Sequence, residues 1–205
     1  MPDTHQNLIE IEHKFFIKDD SWKQWSYHTI DMLQGYFTGD TSPVTFDGNY
    51  LRIGQFSISP TTKEKEVLST LLAADGQGIN PSLCAVRIRK ENETYKLTIK
   101  KAIDDASCFE PEYTLPSEIG AHYLERTQYQ LKKTRYLVGI GAGLTADVDV
   151  YEGDSSKMKN TVEVEFKSNA AAKSFIPPKW FGKKITGIKE FSCKALAMKP
   201  FNFRS

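Results

Sequence analysis

Cysteine is scarce: Cys84, Cys108 and Cys193 are the three in 205 residues, and no two stand at a metal-ligand spacing. An odd, widely spread set excludes a disulfide framework or a zinc finger as the basis of the fold. The four histidines, His5, His13, His28 and His122, form no constellation. No apolar run approaches the roughly 20 residues needed to span a bilayer, and Met1–Asn7 lacks the basic start and apolar stretch of a signal peptide. A P-loop, a Rossmann glycine pattern and a nucleophilic-serine elbow are all missing. Charge of one sign is missing too, since 27 Lys+Arg against 26 Asp+Glu leave a net +1. Such a balance gives no general field for DNA or an anionic membrane, so anion binding has to come from a local cluster. With 40% hydrophobic and 26% charged residues the chain reads as globular. The expectation is a cytoplasmic, single-domain protein spanning 1–205, with no nucleic-acid or membrane partner.

What is present is alternation. In Ile9–Ile17 a period of two puts Glu10, Glu12 and Lys14 on one face of a strand and Ile9, Ile11, His13 and Phe15 on the other. Val86–Arg89 presents Arg87 and Arg89, and after a polar turn Tyr95–Lys100 presents Lys96, Thr98 and Lys100, which reads as a hairpin. Glu110 and Glu112 flank Pro111, which favours a strand end or edge. Lys133 and Arg135 flank Thr134, Asp147 and Asp149 flank Val148, and Glu163 and Glu165 flank Val164.

An ordinary solvated sheet face mixes Ser, Thr, Gln and Lys. Here it is nearly all ionisable, and rows of like charge on neighbouring strands repel unless the opposite sign lies between them. The large, β-branched alternates suit a core packed against helices. If such a sheet curls into a barrel, the charged faces line its interior and need metal ions and a polyanion for compensation. Helices are expected at Ser21 to about Met32, Glu118 to about Leu131 behind a Pro116-Ser117 cap, Ala170–Phe175 and the tail Phe191–Ala197.

The ordered set resembles the CYTH superfamily, the triphosphate tunnel metalloenzymes. It opens with Glu10-x-Glu12-x-Lys14 and continues through Gln34-Gly35-Tyr36, Arg87-x-Arg89, Leu97–Lys100 and Lys133–Tyr136. Asp147–Tyr151, Val162–Phe166, Phe175–Thr186 and Lys194–Ala197 complete it. The Phe175–Gly182 and Lys132–Tyr136 stretches look most like the small bacterial inorganic tripolyphosphatases. The resemblance implies a mainly β fold with flanking helices (α+β), an eight-stranded antiparallel β-barrel forming a charged tunnel. It also implies a triphosphate-containing small molecule as the partner, and Mg²⁺ or Mn²⁺ as cofactor; a homodimer is compatible with it.

Carried over residue by residue, Lys14, Arg87, Arg89, Lys100, Lys133 and Arg135 hold phosphates, arginine by bidentate contact and lysine as a point charge. Glu10, Glu12, Glu163 and Glu165 are the catalytic, metal-binding and water-positioning candidates, with Glu110, Glu112, Asp147 and Asp149 as further metal ligands. Which carboxylate positions the water is left open, as is whether Lys96 points inward or sits at the mouth.

The match departs at four places. Cys108 stands where the family commonly has arginine. Ile188, Glu190, Phe191 and Cys193 replace an aspartate, a basic residue, Tyr and Asn. Glu190 accordingly brings an acid where the pattern has a base. An insertion at about 39–85 carries a strand at Tyr50–Ile53 and a helix from Thr62 to Ala74, read as a packed surface addition, a lid or a partner surface. Hydrolysis of inorganic tripolyphosphate is the leading reading. The alternatives are an organic triphosphate such as thiamine triphosphate or a nucleotide, and a phosphate-binding module with weakened catalysis. A cyclase is disfavoured because no feature addresses a ribose or an adenine.

Overall fold

The structure is a computed structural model that describes residues 8–39, 42–74, 76–152 and 159–199. The segment Met1–Asn7 lies outside them. The chain divides into two compact units. One comprises Gln34–Ala102 and Phe109–Gln130 with the start of the chain to Ile9; the other comprises Glu10–Leu33, Ile103–Cys108 and the chain from Leu131 onward. In both, antiparallel pairing dominates, as the alternation implies.

The second unit is built on β1 (Ile9–Ile17), β10 (Tyr129–Gly139), β11 (Thr145–Tyr151) and β12 (Thr161–Glu165). Its register sets Arg135 opposite Asp149, Asp147 opposite Glu163, Lys14 opposite Glu163 and Glu12 opposite Glu165. One face of these strands is therefore charged. The other supplies the core, in which Phe15, Val148, Val162 and Val164 pack with Ala172 of α3 (Asn169–Ser174), Trp180 and Phe181. Each fully buried valine contributes about 1.5–3 kcal/mol. His13 falls on this apolar side, 4.9 Å from the Phe166 ring, and burial lowers its pKa. Beyond β13 (Phe181–Lys184), the Ile185 N–H donates to the Lys14 carbonyl at 2.8 Å.

The expected helix over Ser21–Met32 is corrected. A single 3₁₀ turn, Ser21–Trp25, drops Trp22 into the core, and the chain then extends as β2 (Ser26–Phe37). Tyr27, Thr29 and Ile30 suit a pleated surface better than a helix, and one aromatic anchor, 5.1 Å from the Tyr136 ring, suffices to seat the turn.

In the first unit, β6 (Ala85–Glu91) and β7 (Thr94–Ala102) form the expected hairpin, closed by Asn92 at φ 49°. Asn is among the side chains that tolerate this left-handed geometry. Pro111 splits the Phe109–Tyr113 stretch, leaving β8 (Ser107–Phe109) and a short β9 (Glu112–Leu115) that pairs with β7. The expected insertion contains a small sheet of β3 (Val44–Phe46), β4 (Leu51–Ile53) and β5 (Phe56–Ile58), then α1 (Thr62–Ser69).

Thr61 and Glu64 close α1 with a capping box. The helix ends five residues before Ala74 because Leu71 and Leu72 leave it to bond the returning chain: Asn80 N–H reaches the Leu71 carbonyl at 2.7 Å, and Leu72 bridges Ile79. Likewise α2 (Ser117–Leu124) stops short of Leu131. The Thr127 hydroxyl and the Gln130 amide donate to the Leu124 carbonyl at 2.6 and 3.0 Å, and Leu131 is buried in β10. Gly120 lets α2 lie directly on β7, since a Cβ there would sit 2.3 Å from Tyr95. The tail forms α4 (Cys193–Ala197) after a 3₁₀ turn at Lys189–Phe191.

Candidate active site

The charged face of the second unit is an ion-pair network set by register. Arg135 donates to three carboxylates: Nη1 to Asp147 at 2.7 Å, Nε and Nη2 to Asp149 at 2.7 and 2.9 Å, and Nη2 to Glu163 at 2.8 Å. Asp147 and Glu163 are direct cross-strand partners that repel, and Arg135 is the opposite charge lying between them. Lys14 Nζ meets Glu163 at 2.8 Å, and Lys133 Nζ meets Asp149 at 2.5 Å in a pair only 2% and 0% exposed. Burial would raise the Glu163 carboxyl, but Lys14, Arg135 and Lys133 hold it well below its usual range. Burial would lower Lys14, but Cys193 and Glu163 outweigh it and hold the ammonium well above its usual range. Tyr151, 3% exposed, shares a hydrogen bond with Thr161 at 2.9 Å beside this network.

Glu12 and Glu165 face each other across β1 and β12. Asp147 has a pKa raised to about 6, chiefly by burial, with Glu163, Asp149 and Glu165 opposing the help from Arg135. A folded-state pKa above that of the unfolded chain costs stability at pH values where the group must ionise. The cost is absent below about pH 4, grows from pH 4 to 6, and is complete above 6. Asp147→Asn is therefore expected to melt higher than the parent at pH 7.5 without divalent ions and to converge with it near pH 4. Thermal melts across that range check this, and an offset independent of pH overturns it.

The first unit carries its own cluster. Arg87 Nη2 donates to Glu110 at 3.0 Å, Glu112 at 3.3 Å and Thr98 at 3.2 Å. Arg89 Nη2 donates to Glu112 at 2.6 Å, and its Nε lies 2.7 Å from Glu91. Lys96, opposite Arg89 in the register, bridges Glu91 at 2.8 Å and Glu112 at 3.5 Å, while Lys100 meets Glu110 at 2.5 Å. Arg87, Arg89, Lys96 and Lys100 thus stand together, as the alternation indicates. Glu91 was readable as an extension of the 87, 89, 91 alternation, although the turn chemistry around it hid the signal.

Two cysteines read as departures lie in the second unit's charged regions. Cys193 Sγ is 4.0 Å from Lys14 Nζ and 3.9 Å from Lys133 Nζ. Burial would raise this thiol, but Lys133 and Lys14 prevail and lower it. Cys108 Sγ donates to Glu10 at 3.2 Å, so a neutral donor stands where the expected pattern has a cation. Glu190 is exposed, and Phe191 packs edge-on against Phe16 with ring centres 4.9 Å apart. Local alternation carries no signal for Cys193, which reaches Lys14 across 179 residues.

Glu12, Glu165 and Asp147 offer only oxygens, the donors Mg²⁺ and Mn²⁺ prefer, and Arg135 is the counter-ion of Asp147. Ligand atoms of Asp149, Glu163 and Cys193 lie within 4.8 Å of one another, with the two carboxylates matched by Lys133, Arg135 and Lys14.

Comparison with known proteins agrees with this chemistry. No family model matches the chain. An inorganic triphosphatase of Nitrosomonas europaea is 32% identical over 201 residues, covering 93% of this chain and 98% of the relative. A crystal structure of the inorganic triphosphatase NE1496 superposes with a TM-score of 0.55 at 25% identity, covering 93% of this chain and 95% of that one. A second structure, of the hypothetical protein NE1496, gives the same score and identity over 93% and 98%.

Proposed function

The chain belongs to the inorganic triphosphatases of the CYTH superfamily, and from that premise we propose that it hydrolyses inorganic tripolyphosphate to pyrophosphate and orthophosphate. The observation that carries the reading is that buried or half-buried cations line the sheet faces, with carboxylates as their counter-ions. A tripolyphosphate carries about four or five negative charges near neutral pH and replaces several such counter-ions at once. Arg87 and Arg89 offer planar, bidentate contacts, and Lys100, Lys14 and Lys133 act as point charges. Arg135, its donors shared among three carboxylates, orders the acids and takes phosphate only by exchange.

In this reading Mg²⁺ or Mn²⁺ is held by Glu12, Glu165 and Asp147, with Glu10, Glu110 and Glu112 as further candidates. Such an ion, when bound, would supply charge neutralisation of phosphoryl oxygens. Glu163 keeps Lys14 charged and Asp149 keeps Lys133 in place. Glu10, Glu12 or Glu165 orients the water in line with the terminal phosphorus. Among the described residues no helix is long and apolar enough to cross a membrane, and a cytoplasmic location is part of the same proposal. So is the treatment of 1–205 as one functional domain.

Phosphate release from tripolyphosphate, ATP and thiamine triphosphate, under Mg²⁺ and then Mn²⁺, tests it. Fast release from tripolyphosphate alone is expected. Preference for an organic triphosphate overturns the substrate and keeps the cation clusters. Binding by calorimetry with no release under either ion turns the protein into a binding module, with the neutral Cys108 beside Glu10 as the first suspect.

A further inference from the structure

Glu112 is the shared counter-ion of the first unit's basic cluster, bonding Arg87, Arg89 and Thr98 and lying 3.5 Å from Lys96. The strand that carries it is a weak platform. β9 has four residues, begins after a proline that cannot donate to a ladder, and is paired in the described sheet with β7. Successive side chains of a strand point to opposite faces, so Tyr113 leaves the charged side where Glu112 stands. Its hydroxyl donates to Glu64 Oε1 at 3.1 Å.

Glu64 is 7% exposed, and its second oxygen accepts the Thr61 N–H at 2.6 Å in the capping box. Tyr113 therefore binds an acceptor that α1 itself holds still. Burial, then the neighbouring Glu64, pushes the Tyr113 hydroxyl up, so it stays a donor throughout the accessible pH range. Lys101 of β7 reaches Thr70 of the same segment at 3.3 Å, and Gly54 lies close enough to α2 that a Cβ there would come within 2.8 Å of the Tyr123 hydroxyl. The segment is a buttress fixed to β7, β9 and α2.

We infer that Tyr113 and Glu64 are positioning residues of the phosphate-binding cluster, and that the 39–85 segment serves the reaction by holding β9 so that Glu112 sets Arg87 and Arg89. The inference rests on the triphosphate reading above. Misplacement of such a clamp by about 1 Å costs up to a hundredfold in rate, and loss of one hydrogen bond to a charged group is worth about tenfold.

Steady-state kinetics on tripolyphosphate test it. Tyr113→Phe is expected to lower kcat/KM about tenfold, mostly through KM, because the arginines are mis-set before chemistry. Glu64→Gln keeps one acceptor oxygen for the hydroxyl but turns its NH2 towards the Thr61 N–H, so it is expected to fall between the parent and Tyr113→Phe. In an Arg89→Ala background the Tyr113→Phe effect should shrink to about threefold, since one of its two targets is gone and Arg87 remains. A merely structural bond moves the melting temperature and leaves the KM effect undiminished in that background, and that result overturns the inference. Glu64→Leu removes the same bond from the other side; failure of both single variants to fold also overturns it. A parent protein inert towards tripolyphosphate sinks the functional reading itself. An active parent with an unchanged Tyr113→Phe sinks the positioning role alone.

Discussion

Arg135→Met is expected to lower the melting temperature at pH 7 by about 6–20 °C. The guanidinium serves Asp147, Asp149 and Glu163, which are 22%, 0% and 14% exposed at their side chains. Removing one partner of a buried pair costs about 3–5 kcal/mol because the remaining charge is stranded, and a chain of this size loses about 2–4 °C per kcal/mol. Lysine cannot restore three directions of donation from one ammonium at these distances, so Arg135→Lys should recover less than half of the loss. The pH dependence is diagnostic. Without the guanidinium, Asp147 moves further above its unfolded value while Glu163 and Asp149 keep Lys14 and Lys133, so the variant regains stability relative to the parent as pH falls from 7 to 5. Calorimetric melts at both pH values measure it. A variant that melts within about 2 °C of the parent removes Arg135 from the centre of the network.

Glu12→Gln should move activity and stability in opposite directions. Glu12 stands opposite Glu165, and like charges set directly opposite cost about 0.2–1 kcal/mol. Its neutralisation raises the metal-free melting temperature by a degree or two. The same change removes a ligand charge from the proposed Mg²⁺ or Mn²⁺ site and should reduce turnover at least a hundredfold, the upper end of losses around metal sites. It should also flatten the rise in melting temperature that added Mn²⁺ gives the parent. Loss of turnover with unchanged metal-induced stabilisation would falsify the ligand assignment while leaving Glu12 a role in positioning water.

Alternation made the strands of the site legible because a period of two is local: a residue's face follows from its neighbours. Arg87, Arg89 and Lys100 are readable in this way, as are the acids of β11 and β12, while the place of Lys96 stays open in the sequence. What stayed hidden depends on distance along the chain. Nothing near Cys193 indicates that it lies by Lys14 and Lys133, and nothing near Arg135 says that it gathers three acids rather than one. The misread helix at Ser21–Met32 has the same origin. Its aromatic spacing fits a helical stripe, but pairing in a sheet rewards Tyr27, Thr29 and Ile30 more than a lone helix could. Hydroxyls and amides downstream ended α2 early, and no pattern inside the helix foretells them.

On the proposed assignment of Arg87, Arg89 and Lys14 to phosphate, the internal counter-ions also set a threshold for what the protein can hold. Glu112 competes for Arg87 and Arg89, as Glu163 does for Lys14, from a tethered position and therefore at a local concentration no dissolved anion matches. A chloride or a single orthophosphate must displace such a carboxylate one contact at a time and gains little by it. A chain of linked phosphates, once its first group has exchanged, presents the next to neighbouring cations at a comparable local concentration. Discrimination against the abundant small anions of a cell then requires no gate. It follows from filling each seat in advance with an occupant that only a multiply charged guest can evict.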